Sequence, residues 1–291
     1  MIYPGTIYNS RLQPILREIV WQKKLEVAQM QQEMSFASLQ RQLTAAPTVR
    51  DFFSALQQSL HKPGLITEVK RSVPDQDIIS LDFDPLAMAK SYERGGATCI
   101  SVVTDQKFFQ GGFDHLRTIR HRIALPLLCK DFILDPCQIY LARSAGADAV
   151  LLIAAILTDQ EINNFLRVIH YLGMNAILEV HNLTELDRLL KLEDVRIISI
   201  NNRSLEDFSV NLSTTQQLMA ARRSHLQNLG ILVVSESGIE TSDHLSLMAD
   251  AGVNAVLMGD SLLQQENLEE AVRSLIKPNV PVYKDLVKKA V

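Results

Sequence analysis

The chain has 291 residues, of which 47% are hydrophobic and 21% charged, with a formal net charge of −4. That is the composition of a soluble globular protein, long enough for one large α/β barrel or two smaller domains. Mild acidity leaves no clustered basic surface for nucleic acid, and the longest strongly apolar stretch, residues 149–157, is too short to span a bilayer.

The N-terminal segment MIYPGTIYNS has no basic run followed by an apolar one, so it does not read as a secretory signal. From Ile15 to about Met34, Ile15, Ile19, Val20, Leu25 and Val27 recur at helical spacing. Trp21, the only tryptophan, falls in that stripe and reads as a packing residue. After a break at Ala45-Ala46-Pro47, Thr48 is placed to cap a helix running through Leu60. Strand patterns are absent here. Residues 1–62 are therefore expected to form a helical N-terminal extension, and 63–291 the remainder of what is a single domain overall.

From residue 64, short aliphatic runs alternate with amphipathic stretches. Eight runs are expected to be strands: Leu65–Val69, Cys99–Val103, Leu125–Cys129, Ala149–Ile153, Ala176–Val180, Ile197–Ile200, Ile231–Val234 and Ala255–Met258. Near-continuous apolar runs suit strands buried on both faces of a parallel sheet. The repeats AGADAV (145–150) and AGVNAV (251–256), with the looser GGATCI (95–100), put glycine where a helix ends and turns into the next strand. Eight such units over about 225 residues match a (β/α)₈ barrel. A doubly wound sheet has fewer strands and a glycine-rich first turn, and EVKRSVPDQD (68–77) contains no glycine. The three cysteines, Cys99, Cys129 and Cys137, are odd in number and lie in apolar or strand-like surroundings, which points to a reducing, cytoplasmic compartment.

Barrel active sites form where strands run out at their C-terminal ends. Glu68 and Lys70 lie there after run 1, Thr104 and Asp105 after run 2, and Lys130-Asp131-Phe132 after run 3. Glu179 follows at run 5, Asn201-Asn202-Arg203 at run 6, Ser235-Glu236-Ser237-Gly238 at run 7, and Gly259-Asp260-Ser261 at run 8. Run 4 stays apolar from Leu151 to Ile153. Any one of these polar groups could close the barrel with an ion pair. As a set they imply a shared pocket, because each must find a partner or face a solvated cavity. Lysines and an arginine suit an anionic substrate, and a Lys with a Glu in one pocket can serve as general acid and general base. Ser237-Gly238 and Gly259 occupy the usual barrel phosphate position. No His, Cys and Asp cluster has metal-ligand spacing; His181, beside Glu179, reads as a surface group or one lying a layer behind the site. No metal and no cofactor is implied.

The stretches LLCKDFILDPCQIYLARSAGADAVLLIAAIL (127–157), ILEVH (177–181), INNRSLEDFSVNLSTT (200–215), VVSESGI (233–239) and TDQKFFQGGF (104–113) together resemble the indole-3-glycerol phosphate synthases of tryptophan biosynthesis. EIVWQKKLEVAQM (18–30) looks like their cyanobacterial branch, and the resemblance covers the chain from about residue 15. It implies a (β/α)₈ barrel that converts 1-(o-carboxyphenylamino)-1-deoxyribulose 5-phosphate by ring closure, decarboxylation and dehydration, without a cofactor. On that resemblance Lys130 is the general acid, Glu179 the general base, and Lys70 a substrate ligand or second acid, with Glu68 and Asn201 orienting them. Arg203 joins an anion-binding network; Phe109, Phe132 and Leu151 form an apolar slot for the anthranilate ring; Glu236 lies near the sugar; Pro74 is a further substrate-side position. The phosphate rests on Ser237, Gly238, Gly259 and Asp260. The partner implied is this small phosphorylated substrate, with neither nucleic acid nor membrane, and no exposed apolar stripe assigns an oligomeric state.

The departure lies after strand 1, where the family pattern E-x-K-[RK]-x-S-P-S-x-G is expected. Val73 and Asp75 replace its serines and Asp77 its glycine. A carboxylate close to a bound anion in a partly desolvated pocket costs on the order of 1–3 kcal/mol. Three readings follow: a working synthase with a divergent first loop, a paralogue with altered substrate or weak activity, or a non-catalytic barrel that binds a phosphate ligand. Survival of all the acid–base residues favours the first.

Overall fold

The computed structural model describes residues 14–33, 35–71 and 83–276. Val73, Pro74, Asp75 and Asp77 lie outside the described residues. Eight parallel strands close into a barrel in chain order: β1 (Gly64–Val69), β2 (Cys99–Val103), β3 (Leu127–Lys130), β4 (Ala149–Ile153), β5 (Asn175–Val180), β6 (Ile197–Asn201), β7 (Leu232–Glu236) and β8 (Ala255–Met258), with β8 pairing back onto β1. Their residues are almost all buried, as expected for strands with the barrel interior on one face and helices on the other. The (β/α)₈ expectation is met, and the three repeated glycines do end helices: Gly96, Gly146 and Gly252 adopt left-handed φ of 102°, 97° and 91°.

Two strand boundaries differ from the sequence reading in a way that matters for the site. β3 begins at Leu127 rather than Leu125, because Pro126 has no N–H to give to the ladder, and it extends to Lys130. β7 runs on to Glu236, registered against Asn201 of β6. Both side chains thus stand on sheet backbone rather than on loops.

Three helices precede the barrel: α1 (Pro14–Glu33), α2 (Phe36–Ala45) and α3 (Phe52–Gln57). The break expected near Ala45 is the end of α2, and the third helix is capped by Asp51, not Thr48. The Asp51 carboxylate accepts from Ser54 N, whereas the Thr48 carbonyl accepts from Arg120. The buried stripe of α1 is Leu16, Ile19, Lys23 and Val27, so it is rotated from the one expected. Trp21 is 56% exposed and Leu25 also faces solvent; Trp21 is not a packing residue. A lysine occupies the place in the stripe where an apolar side chain would ordinarily sit.

The pre-barrel segment touches both ends of the barrel. At the C-terminal end, α1 reaches residues just beyond β2 and β3 through Lys23, and Gln31 donates to Asp135, the cap of the helix Pro136–Ser144. At the N-terminal end, Arg50 N donates to Asp148 Oδ1 just before β4, and Phe53 N donates to Asn175 Oδ1 at the start of β5. Phe52, Phe53 and Leu56 are buried there. Among the described residues no helix is long and apolar enough to cross a membrane.

Candidate active site

The last inward-facing residues of β1, β3, β5, β6 and β7 converge. Lys130 Nζ lies 2.9 Å from Glu68 Oε2 and 2.8 Å from Glu236 Oε2, so one ammonium bridges β1 and β7 from β3. Lys70 Nζ pairs with Glu68 Oε1 at 3.0 Å and with Asp260. Ser199 donates to Glu236 Oε1 at 2.8 Å. Glu68, Lys70, Glu179 and Glu236 are all buried.

In this field the charges sort themselves. Burial works against the Lys130 ammonium, but Glu236, Glu68 and Glu179 hold it firmly protonated. Burial would raise Glu68; Lys130 and Lys70 outweigh it and hold the carboxyl at about 2. Glu236 is pushed up by burial and by the neighbouring Glu179, with Lys130 opposing. Glu179 resists the same burial because His181 and Lys130 face it, and it is held at about 2. His181 Nε2 lies 3.0 Å from Glu179 Oε1, and its Nδ1 lies 3.3 Å from Glu185 Oε2. Burial alone would favour the neutral ring, but the two carboxylates raise it to about 10. Of the two expectations for His181, the surface one fails and the other holds: its side chain is 6% exposed and stands a layer behind the site, against Glu179. An ionised carboxylate, a protonated lysine and a carboxyl tuned between them suit proton transfer in both directions.

Ser237 Oγ donates to Asn201 Oδ1 at 2.8 Å, so β6 and β7 are stitched at the mouth. Asn202 donates to Ser235 Oγ and to the carbonyls of Glu236 and Ser237. Arg203 Nη2 lies 3.6 Å from Asp260 Oδ2, on the side of the mouth shared with Lys70. Phe109 and Phe132 face each other with ring centroids 6.2 Å apart. Leu151 is buried in β4, and Ile153, on the same strand face two residues on, registers with Glu179. An open polar cleft of about 360 Å³ lies against Ala155, His181, Glu185, Asn201 and Asn202. It takes in the β5–β6 side of the mouth but not the lysines. Among the described residues Glu68, Lys70, Lys130, Glu236, Asp260 and Arg203 form one linked set of ion pairs, with Glu179 in the field of Lys130 and Asn201 bonded to Ser237. Lys23, which pairs with Asp105 and Asp131, was missed by sequence reasoning; only its register with Leu16, Ile19 and Val27 could have pointed to it.

Ser237 and Gly238 are successive left-handed residues, with φ of 69° and 77°. A Cβ on Gly238 would meet Val210 Cγ1 at 2.4 Å. Gly238→Ala is therefore expected to cost about 1–2 kcal/mol through the left-handed backbone alone, more with Val210 displaced, and to raise KM. Chemical denaturation and steady-state kinetics measure the two effects. Gly259 is constrained differently: its φ is ordinary, but a Cβ would sit 2.9 Å from Glu68 Oε1.

Comparison with known proteins gives consistent results. The family model for indole-3-glycerol phosphate synthase matches residues 16–275. The chain is 51% identical to the indole-3-glycerol phosphate synthase of Rippkaea orientalis, covering 94% of this chain and 93% of the relative. It is 49% identical to that of Crocosphaera subtropica, with 92% and 91% covered, and 49% identical to that of Trichodesmium erythraeum, with 95% and 93% covered. Among solved structures, the N-acetylmannosamine-6-phosphate 2-epimerase of Clostridium perfringens superposes with a TM-score of 0.54 at 18% identity, over 71% of this chain and 89% of that one. At that identity the likeness speaks for the barrel alone.

Proposed function

The chain belongs to the indole-3-glycerol phosphate synthase family, and from that premise we propose that it closes the pyrrole ring of 1-(o-carboxyphenylamino)-1-deoxyribulose 5-phosphate with loss of carbon dioxide and water. The observation that carries the reading is Lys130, a protonated lysine bridging two buried carboxylates at the barrel mouth, with Glu179 contributing to the same field. Lys130 gives a proton to the keto oxygen as the aromatic carbon attacks. Carbon dioxide then departs, leaving its bonding pair to restore the aromatic ring. In the second half the new hydroxyl takes a proton from a second acid, the role open to Lys70, and leaves as water, while Glu179 takes the proton that the newly formed ring gives up.

Glu68 and Asn201 orient these groups, the first through both lysines and the second through Ser237. Lys70 binds the substrate or serves as a second acid. Phe109, Phe132 and Leu151 take the anthranilate ring, and Glu236 faces the sugar. Arg203 belongs to the anion-binding network. The phosphate rests on the backbone of Ser237, Gly238, Gly259 and Asp260, so the Asp260 carboxylate must release Lys70 when the dianion arrives. The reading includes a cytoplasmic location, supported by three free cysteines.

A fluorescence assay of indole-3-glycerol phosphate formation tests it, run on the full chain beside Val73→Ser/Asp75→Ser/Asp77→Gly. Both proteins are expected to form product. Product from the restored variant alone would identify a paralogue redirected by its first loop, and product from neither would overturn the assignment of substrate.

A further inference from the structure

Lys23 is the one lysine of α1 that is buried, at 2% exposure. Its Nζ lies 2.8 Å from Asp105 Oδ2, 2.9 Å from Asp131 Oδ1 and 2.8 Å from Glu26 Oε2. Asp105 and Asp131 stand just beyond the ends of β2 and β3, and each has a second set of partners. Asp105 Oδ1 accepts from Phe108 N at 2.7 Å and Phe109 N at 3.2 Å. Asp131 accepts from Phe132 N at 2.8 Å through Oδ1 and from Thr104 Oγ1 at 2.7 Å through Oδ2. One cation therefore joins two carboxylates, each of which grips the backbone of one ring of the Phe109–Phe132 pair. Asp131 also directly follows Lys130.

Anchoring the helix does not explain a lysine here. Leu16, Ile19 and Val27 already bury the same stripe, and burying an ammonium costs several kcal/mol that another apolar side chain would avoid. What the ammonium alone supplies is charge for two buried aspartates whose own task is to hold amide N–H groups. Burial opposes that charge, but Asp131 and Asp105 keep Lys23 protonated well above neutral pH, so the connection does not titrate in the working range.

We propose that Lys23 is a positioning residue for the reaction: reaching in from the N-terminal helix, it sets the spacing and orientation of the Phe109 and Phe132 rings, and so the approach of the substrate's aromatic ring to Lys130. This rests on the reading that those two rings hold the anthranilate moiety. Misplacement of a reacting group by about 1 Å can cost roughly a hundredfold in rate, which sets the scale of the effect.

The test is a double-mutant cycle on the full chain. Lys23→Met, Phe132→Leu and the double variant are compared by kcat and KM, with circular dichroism and thermal melting reporting the fold. Lys23→Met is expected to remain folded and lose about a hundredfold in kcat. Phe132→Leu in the Lys23→Met background is expected to lose much less than in the parent, because the slot has already been loosened. Lys23→Arg, which keeps the charge on a larger, planar head, is expected to recover part of the rate. A folded Lys23→Met protein with kcat within about twofold of the parent would overturn the proposal, as would strictly additive losses, which would reduce Lys23 to a helix anchor. If Lys23→Met does not fold, Asp105→Asn takes its place in the cycle; it keeps an acceptor for the Phe108 and Phe109 amides while removing the charge Lys23 pairs with, and the same non-additivity with Phe132→Leu is expected. A parent that forms no product defeats the functional reading itself. An active parent with unaffected or additive variants defeats only the role of Lys23.

Discussion

Lys130→Met is expected to lower kcat/KM by about 10³-fold, within the range for loss of a positioned general acid, while substrate still binds through Lys70 and the phosphate groups. The same substitution should change stability in a pH-dependent way. Glu68 and Glu236 are buried, and Lys130 is the cation they share. Without it Glu236, already raised by burial, rises further, and Glu68 keeps only Lys70 to offset its burial, so ionisation of these carboxyls at neutral pH opposes folding. Breaking a buried pair costs about 3–5 kcal/mol; Lys130 is partly exposed and Lys70 still faces Glu68, so the low end applies. Because the folded values are raised, the lost stability returns as the pH falls through them. Urea denaturation at pH 7 and pH 5 should show the deficit shrinking at the lower pH, and an equal deficit at both would contradict the charge argument.

Glu179→Gln is the second large effect expected, a loss of about 10² to 10⁴-fold in kcat with little change in KM. His181 makes that assignment testable without removing the base. Glu179 faces His181 on its own side, Lys130 from β3 and Glu236 from β7, while His181 also faces Glu185. With the imidazolium present Glu179 stays ionised down to about pH 2. His181→Gln removes that cation, and burial, opposed now only by Lys130 and the hydrogen bond with Glu236, moves the Glu179 carboxyl up from its parent value. The acid limb of the kcat/KM profile that belongs to this group should lie at a higher pH in the variant than in the parent. His181→Arg, which retains a cation, should move the limb back down. A His181→Gln profile that is merely lower, with no shifted limb, would leave His181 a packing residue.

Much of the barrel was legible because its strands are short aliphatic runs ending in polar residues, and the cost of burying those residues singly made their convergence predictable. Glu68, Lys130, Glu179 and Glu236 could be named from position alone. The helical extension was less legible. Trp21 and Leu25 follow a helical period as faithfully as Leu16 and Val27 do, and the sequence does not say which side of that helix meets a barrel folded more than eighty residues later. Lys23 escaped notice for the same reason: a lysine among Gln, Lys and Glu reads as solvated until Asp105 and Asp131 are seen opposite it. Of the two places open to His181, the surface or a layer behind the site, the sequence could not choose, because its second carboxylate, Glu185, comes from the next helix. The α2 helix packs against the helix Pro136–Ser144, a neighbour that comes about a hundred residues later in the chain.

The pre-barrel segment has its partners far along the chain. Arg50 bonds to a residue 98 positions later, Phe53 to one 122 positions later and Gln31 to one 104 positions later. During synthesis this segment leaves the ribosome before the barrel strands, yet it has nothing to dock onto until β2 through β5 have emerged and paired. Loop-closure entropy delays such long-range contacts, so a part made before the barrel settles after it. For that interval Phe52, Phe53 and Leu56 are apolar surface awaiting a cover, and the growing chain is open to wrong association there. A barrel that fastens its two ends with one early segment gains closure at the cost of a waiting time.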